Sequence, residues 1–257
     1  MDIVDHHVHL GTDLRTGLSL SLEELLCRME KYTISRAVVF PMPNVFPSLN
    51  PYKKENLKIY EYSLFDNRII PFMFVHPFLD NEEYFTSNER FFKGFKLYCS
   101  AKDLEYKYNL LRFSSIFNNL LTSSKPKISH IGLDEGERPK DLLDFCSSSN
   151  ANIIITHCGR FFLDDLKEIS VFENVYLDIS PFLTMIKNQD FVPKFKKFFL
   201  SKEHPIKITD YFLNLFNERV LFGTDSPWCD LLLEGGFNKE INFYLGNHLY
   251  KYFANLF

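Results

Sequence analysis

The feature of this sequence that most constrains its fold is an alternation of short β-type runs with longer helical or polar segments. Eight such runs recur along the 257 residues, at 2–10, 36–41, 69–77, 93–98, 127–132, 152–159, 175–180 and 219–227. Strands that alternate with helices predict a parallel sheet built of βαβ units. Eight units in about 250 residues are typical of a (β/α)8 barrel.

Helical patterns fill the intervals between these runs. Segment 21–32 opens with Ser21 and Glu24 at the spacing of a capping box and continues with an apolar stripe. Further helices are expected at 52–65, 106–121, 139–148, 161–169, 207–217 and, at the C-terminal end, 238–256, whereas 80–92 is only weakly helical.

An open doubly wound sheet would fit the alternation too, but it predicts a Gly-rich turn after an early strand, where Gly11 stands alone. No repeat or Pro/Gly/Ser linker divides the sequence. Residues 1–257 are therefore expected to form a single α/β domain, a (β/α)8 TIM barrel with a C-terminal helix.

Charge and cysteine content narrow the function classes. The net charge of −4 disfavours a broad nucleic-acid surface. The five cysteines are scattered and form no C-x-x-C pair, which argues against a disulfide framework or a cysteine zinc site. No basic, apolar leader is present, and no apolar stretch approaches the ~20 residues of a membrane span. A cytoplasmic protein with a small-molecule substrate and no membrane partner is expected.

Ionisable side chains recur where the predicted strands end, which is where parallel barrels carry their chemistry. In chain order they are His7, His9, His76, Lys96, Tyr98, His130, His157 and Asp225. A divalent ion needs three or four imidazole or carboxylate ligands from different segments, with a position left open for water. His7, His9, His130 and Asp225 fit that need. The alternative is a set of buried polar residues hydrogen-bonded across the barrel mouth.

A metal ion at this position would polarise a carbonyl group and lower the pKa of a bound water toward ~7. His157, arriving from the sixth run, would lie close enough to transfer a proton or to stabilise developing negative charge. Asp5 is expected either to orient a ligand imidazole or only to tie the barrel together.

The motifs around these residues resemble the amidohydrolase superfamily, in the branch called amidohydrolase family two. They are the D-x-H-x-H that begins at Asp5, "PKISH" ending at His130, "IIITHCG" with His157 and "RVLFGTDSPW" with Asp225. The resemblance extends to "NVYLDIS" and to the final "YLGNHLYKYF", so it covers nearly the whole chain. It implies a metal-dependent barrel, usually with zinc, that hydrolyses small esters, amides or lactones, or decarboxylates unsaturated or aromatic acids.

The resemblance also implies residue roles. The metal ligands are His7, His9, His130 and Asp225. Asp225 would in addition handle the proton of the attacking water, and His157 would be the catalytic histidine beside the metal. One zinc ion per chain is expected. In other branches, however, a lysine at the place of Lys96 is carboxylated and bridges two metals, which would draw His130 and His157 to a second ion.

Four residues are candidates for substrate contact: Lys96, Tyr98, Arg160 and Trp228. Arg160 follows His157 closely and could bind a substrate carboxylate bidentately, or only cap the following loop. Trp228 could form an apolar pocket wall or be purely structural. Lys96 could instead snorkel out of the barrel or pair with a carboxylate.

Other functions compete with the hydrolase. A non-oxidative decarboxylase would use the same metal. A TatD-like nuclease should carry a Glu where this chain has Lys96 and Tyr98, and a basic surface for phosphates. A PHP phosphoesterase should have a D-x-H pair in place of the "DSP" that begins at Asp225. A metal-binding barrel without catalysis is a further class.

A homodimer is common in the family, and the sequence leaves open the substrate, the metal identity and the oligomeric state.

Overall fold

The computed structural model describes residues 3–46, 49–99, 107–188, 204–249 and 256. Its strands are β1 Ile3–Thr12, β2 Ser19–Leu20, β3 Ile34–Pro41, β4 Ile69–Val75, β5 Gly94–Leu97, β6 Lys127–Ser129, β7 Ile153–Ile155, β8 Val175–Asp178 and β9 Val220–Leu221. They form one sheet in the order β2-β1-β3-β4-β5-β6-β7-β8-β9. Every neighbouring pair is parallel except β1 with β2, which is antiparallel.

Helices follow most of the parallel strands. They are α1 Leu22–Tyr32, α2 Tyr52–Phe65, α3 Glu82–Asn88, α4 Phe117–Thr122, α5 Leu143–Ser148, α6 Leu163–Ile169, α7 Phe182–Lys187, α8 Pro205–Leu215, α9 Trp228–Leu232 and α10 Gly236–Gly246. Short 3-10 helices span Glu89–Phe91, Tyr108–Phe113, Pro139–Leu142 and His157–Phe161. In the described part of the chain, no helix combines the length and apolar character that crossing a bilayer requires.

The predicted α/β class is confirmed, and each of the eight predicted runs overlaps a parallel strand. The runs are visible in the sequence because strands covered on both faces are apolar along their whole length. The strand β2 was not predicted, since two residues carry no readable period.

Helix α1 begins as predicted: the Ser21 hydroxyl accepts a hydrogen bond from the Glu24 amide at 3.2 Å, and the Glu24 carboxylate accepts one from the Ser21 amide at 2.9 Å. Helix α2 has the predicted bounds 52–65. The helix expected at 106–121 is instead a 3-10 helix followed by α4, because Ser114 adopts an extended backbone between them. Residue 106 and most of the predicted C-terminal stretch after 249 lie outside the described residues.

Helices α7 and α9 were not predicted, because each is too short for an apolar stripe to be recognised. Helix α7 is fixed by α10. The buried carboxylate of Glu240 in α10 accepts hydrogen bonds from the amides of Leu183 and Thr184, at 3.1 and 2.8 Å. These two amides belong to the first turn of α7, where backbone donors have no partner within the helix.

The sheet is curled, and its first parallel strand contacts the segment that follows its last. The amide of His6 donates to the carbonyl of Phe222 at 3.0 Å, and the amide of Asp225 donates to the carbonyl of His7 at 2.9 Å. The His9 amide donates to the carbonyl of Ser226 at 2.8 Å. These backbone bonds bring residues 222–226 alongside β1.

A buried carboxylate reinforces this junction. Asp5 accepts hydrogen bonds from the Thr224 amide at 3.0 Å and from the Thr224 hydroxyl at 2.7 Å. It also accepts one from the backbone amide of His7 at 3.1 Å, and none from an imidazole. Asp5 was expected either to orient a ligand imidazole or to tie the barrel together. The structure supports the second role, because Asp5 joins β1 to Thr224.

Two apolar layers surround the sheet. Side chains on its concave side form one cluster: Val4, Val38, Phe40, Ile70, Phe72, Ile128, Ile154 and Leu221. A larger cluster fills the space between the sheet and the helices. The abundant phenylalanines, 28 in the chain, contribute to both layers. The space on the concave side of the sheet is therefore filled with apolar side chains.

Candidate metal centre

Three predicted ligands converge at the carboxyl end of the sheet. His7 and His9 point to the same side of β1 because side chains alternate along a strand. The Nε2 atoms of these two imidazoles lie 3.3 and 3.5 Å from Oδ1 of Asp225. All three residues are buried, and their ligand atoms lie within 4.8 Å of one another.

The chemistry of this group fits a divalent cation. Asp225 Oδ1 is buried and has no hydrogen-bond partner, although it faces two imidazole nitrogens. A buried acceptor without a donor is costly, and a cation bound there would remove that cost. Nitrogen and oxygen ligands in this combination are those that zinc prefers.

The tautomer of His9 is fixed by the fold. Its Nδ1 lies 3.1 Å from the carbonyl oxygen of Pro41 in β3. A carbonyl can only accept, so Nδ1 carries the proton and Nε2 keeps the lone pair that a metal needs.

His7 is oriented by a carboxylate that the sequence analysis did not assign. Its Nδ1 lies 2.5 Å from Oδ2 of Asp178, at the end of β8. Asp178 in turn accepts hydrogen bonds from the amide and hydroxyl of Ser180, at 2.7 and 2.9 Å. A carboxylate behind a ligand imidazole fixes its tautomer and makes it a stronger ligand. In the sequence, this role of Asp178 is indicated only by its position as an acidic residue at the end of the run "VYLD".

His130 and His157 form a second imidazole pair beside the three ligands. His157 Nδ1 donates to the Ser180 carbonyl at 3.0 Å, so its Nε2 carries the lone pair. That Nε2 lies 3.1 Å from Nδ1 of His130, which therefore donates, leaving the lone pair of His130 on its Nε2. His130 is not in the three-residue group, and its role as a fourth ligand stays a prediction.

Lys96 lies beneath the group and does not snorkel to solvent. It is fully buried, with its Nζ 3.0 Å from Nε2 of His7 and 4.8 Å from the centre of the Phe40 ring. Burial lowers the pKa of the Lys96 amine to about 7, against the opposing effect of Asp225 and Asp178. The amine therefore occupies the face of His7 from which a metal would be bound.

Burial also sets the charge of the ionisable side chains in and around this group. It lowers the pKa of the four imidazoles His7, His9, His130 and His157 well below the usual value, so all four are neutral at pH 7. It raises the pKa of Asp225 to about 8. A divalent cation would favour the ionised carboxylate and reverse that shift. Neutral imidazoles and a buried carboxylate oxygen without a hydrogen-bond donor suit a cation.

Above the group lies a cavity of about 490 Å³. Its lining contains the predicted site residues His9, Tyr98, His130, His157, Arg160, Asp225 and Trp228. His7 and Lys96 are not in that lining and lie behind it. The structure therefore brings the predicted residues together at one cavity, with His7 and Lys96 behind its wall.

The loops that carry Asp225 and His157 differ from the sequence prediction. The runs predicted at 219–227 and 152–159 contain strands only at 220–221 and 153–155. Residues 157–161 form a left-handed turn, with φ between 50° and 58°. Such a backbone costs about 1–2 kcal/mol for each non-glycine residue, and strained segments of this kind cluster at functional sites. The turn places both His157 and Arg160 at the cavity wall.

Comparison with known proteins gives structural likeness but no sequence match. No protein-family model matches the sequence, and no characterised protein matches it in sequence. An amidohydrolase from Burkholderia multivorans with bound zinc has a TM-score of 0.68 at 14% identity, over 99% of this chain and 93% of that one.

Two further solved structures are similar over nearly their full length. A probable 2-pyrone-4,6-dicarboxylic acid hydrolase from Acinetobacter baumannii, with citric acid bound, has a TM-score of 0.61 at 12% identity, over 99% of this chain and 97% of that one. A 2,6-dihydroxybenzoate decarboxylase from Rhizobium has a TM-score of 0.56 at 14% identity, over 98% and 99%. The chain shares the fold of these three structures.

Metal-stripped protein should take up about one Zn²⁺ per chain, because the three ligand atoms define a single position. Asp225→Asn and His7→Asn should each weaken binding by at least about 100-fold, since each replacement removes or weakens one ligand. Calorimetric titration with elemental analysis measures both quantities. His204→Asn, at an exposed histidine before α8, is the matched control. Uptake of two ions that Lys96→Met reduces to one would contradict the single-ion arrangement.

Asp178→Asn should weaken Zn²⁺ binding by about 10–100-fold without removing a ligand, because the amide no longer fixes the tautomer of His7. Competition titration against a chromophoric chelator measures the affinity. Asp164→Asn, at an exposed carboxylate in α6, should leave it unchanged. Equal affinities for the Asp178 variant and wild type would show that this contact does not support the metal site.

Proposed function

We propose that this chain is a metal-dependent hydrolase of the amidohydrolase superfamily, acting on a small ester, amide or lactone. The observation that carries the proposal is the convergence of His7 Nε2, His9 Nε2 and the unpartnered Asp225 Oδ1 at the edge of a cavity. The zinc-containing Burkholderia structure of the same fold supports it.

We further propose that the sheet closes into a complete (β/α)8 barrel. The support is the set of backbone bonds between β1 and residues 222–226, together with the parallel bridge from Val8 to Ser226. In closed parallel barrels the active site lies at the carboxyl ends of the strands. His7, His9 and Asp225 lie at that end.

His7, His9 and Asp225 would hold one zinc ion, with His130 as the proposed fourth ligand through its Nε2. When bound, the ion supplies a Lewis acid that polarises the substrate carbonyl and makes water a better nucleophile at neutral pH. Because the Nδ1 atoms of His7, His9 and His130 already donate elsewhere, their Nε2 atoms carry the lone pairs that a metal needs. Lys96 must release Nε2 of His7 when the metal binds.

Proton transfer falls to Asp225 and His157. Asp225 would help to hold the metal through Oδ1. Its Oδ2, which lies 3.8 Å from Nδ1 of His157, would be free to accept the proton of the attacking water. His157 lines the same cavity and is held by its hydrogen bond to the Ser180 carbonyl. The proton that Asp225 takes from the water would pass to the leaving group directly or through the neutral His157 imidazole, which accepts it before donating it. The same imidazole would stabilise developing negative charge.

A non-oxidative decarboxylase is the alternative, and a specific observation favours it. The Rhizobium structure of the same fold is named a decarboxylase, and Arg160 at the cavity wall could hold a substrate carboxylate. Acid release from lactones and esters, compared with carbon dioxide release from unsaturated and aromatic acids, distinguishes the two reactions. The nuclease alternative lacks support, because Lys96 and not a carboxylate lies on β5 beside His7.

We also propose a cytoplasmic location. The five cysteines are all free thiols, four of them buried, as is usual for proteins of a reducing compartment. A homodimer stays a prediction from the resemblance.

His157→Asn should lower kcat by about 10²–10⁴-fold, because it removes proton transfer. It should still bind about one Zn²⁺ per chain, because His7, His9 and Asp225 remain in place. Turnover of a lactone and ester panel, followed with a pH indicator, gives the rate, and calorimetry gives the metal affinity. His204→Asn serves as control. Undiminished turnover by the His157 variant would contradict the assigned role.

A zinc-loaded wild type that releases neither acid nor carbon dioxide would favour metal binding without catalysis.

A further inference from the structure

The cavity contains a second guanidinium that the sequence analysis did not single out. Arg15 lies in the loop between β1 and β2, and it lines the same cavity as Tyr98, Arg160 and Trp228. Arginines in polar loops are usually solvated. A binding role for Arg15 therefore requires contacts that hold its loop in place.

The loop is built around the buried carboxylate of Asp13. Asp13 accepts hydrogen bonds from the Arg15 amide at 3.1 Å and from the Thr16 hydroxyl at 2.6 Å. Its backbone closes the turn, donating to the carbonyl of Leu18 and accepting from the amide of Gly17, both at 2.8 Å. Gly17 has a φ of 75°, which favours glycine. The turn is therefore fixed from inside.

A second buried side chain clamps the loop from outside. The Asn44 amide group accepts a hydrogen bond from the Leu14 amide at 2.9 Å and donates one to the Thr12 carbonyl at 2.8 Å. Asn44 is only 3% exposed, so these bonds are shielded from water. The residues on both sides of Arg15 are thus held by Asp13 and Asn44.

The guanidinium itself is aimed along the cavity wall. One of its terminal nitrogens donates to the Pro43 carbonyl at 3.0 Å, and its Nε lies 3.9 Å from Asp13. Arg15 and Tyr98 line the same cavity, and the nearby Arg15 charge counteracts the rise that burial causes in the pKa of the Tyr98 hydroxyl. The Arg15 side chain remains 43% exposed, so a ligand in the cavity can reach it.

The rest of the cavity fits an acid with an apolar body. Met185, Trp228 and Leu232 provide an apolar surface, and Arg160 adds a second cation. Arginine binds carboxylates with two parallel hydrogen bonds, and a neighbouring phenol adds a third donor.

We propose that Arg15 and Tyr98 bind a carboxylate of the substrate, separate from the group that reacts beside Asp225. This inference rests on the proposed function and names its substrate class: a small carboxylic acid with an apolar body. Arg15 is then a specificity residue of the first loop, and Asp13 and Asn44 are the residues that position it.

The chain contains its own reporter for this binding. Trp228 is the only tryptophan, and it lines the cavity. Its fluorescence can be followed in metal-free protein while cyclohexanecarboxylate or its uncharged analogue cyclohexanecarboxamide is added. Without metal, the arginines are the cations available in the cavity lining, so the test does not depend on the metal site.

Wild type should bind the carboxylate at least about tenfold more tightly than the carboxamide, and Arg15→Gln should abolish most of that preference. Arg15→Lys should restore part of it, because the charge returns without the two-point geometry. Tyr98→Phe should reduce it by a smaller factor. Arg90→Gln, at an exposed arginine outside the cavity lining, should leave it unchanged.

Equal binding of the two compounds by wild type, or an unchanged preference in Arg15→Gln, would overturn the proposal. So would the absence of any carboxylate binding by wild type. Zn²⁺ titration of the same variants separates this result from the proposed function. Arg15→Gln should bind Zn²⁺ as wild type does, whereas failure of wild type to bind Zn²⁺ would count against the metal centre and leave the carboxylate result standing.

Discussion

The structure depends on the contact between the first parallel strand and the segment that follows the last. Three backbone hydrogen bonds join β1 to residues 222–226, and the Asp5 carboxylate ties the same two segments through Thr224. Without this contact, His7 and Asp225 would lie 218 positions apart in sequence with nothing to bring them together. Because it is made mostly by main-chain atoms, it fixes the positions of His7, His9 and Asp225 more rigidly than flexible side chains would.

The contact between β1 and residues 222–226 brings several ionisable residues together in a buried group. Two carboxylates, Asp178 and Asp225, and the Lys96 amine are buried around His7. Removing charges from water is costly unless they are paired and hydrogen-bonded. Asp178 is well satisfied by Ser180 and His7, whereas Asp225 keeps one oxygen without a donor. The group therefore stores a cost that a cation would relieve, and this makes it a candidate site and not merely a polar core.

Much of this arrangement could be predicted from the sequence. The strands are continuous apolar runs, and the period of two along β1 places His7 and His9 together. The position of Asp225 followed from the rule that parallel barrels carry chemistry at strand ends, and from the motif around it. These signals are local, and each strand end can be identified by itself.

The remainder depends on contacts that no local pattern encodes. Asp178 is a single acidic residue whose role depends on an imidazole 171 positions away. The left-handed turn at 157–161 opposes the ordinary preference of non-glycine residues, so propensity predicts against it. Arg15 is one arginine in a polar loop, and only the structure shows that Asp13 and Asn44 hold its loop at the cavity that Tyr98 also lines. Tautomers, too, follow from distant carbonyls such as that of Pro41.

The central claim is that a single cation is bound where β1 meets the segment after β9. Crystals of the zinc-loaded protein, measured on both sides of the zinc absorption edge, test it most directly. The account predicts one anomalous peak per chain, within about 2.0–2.2 Å of His7 Nε2, His9 Nε2 and an oxygen of Asp225. A peak elsewhere in the molecule, or a second peak of equal height bridged through a carboxylated Lys96, would contradict it.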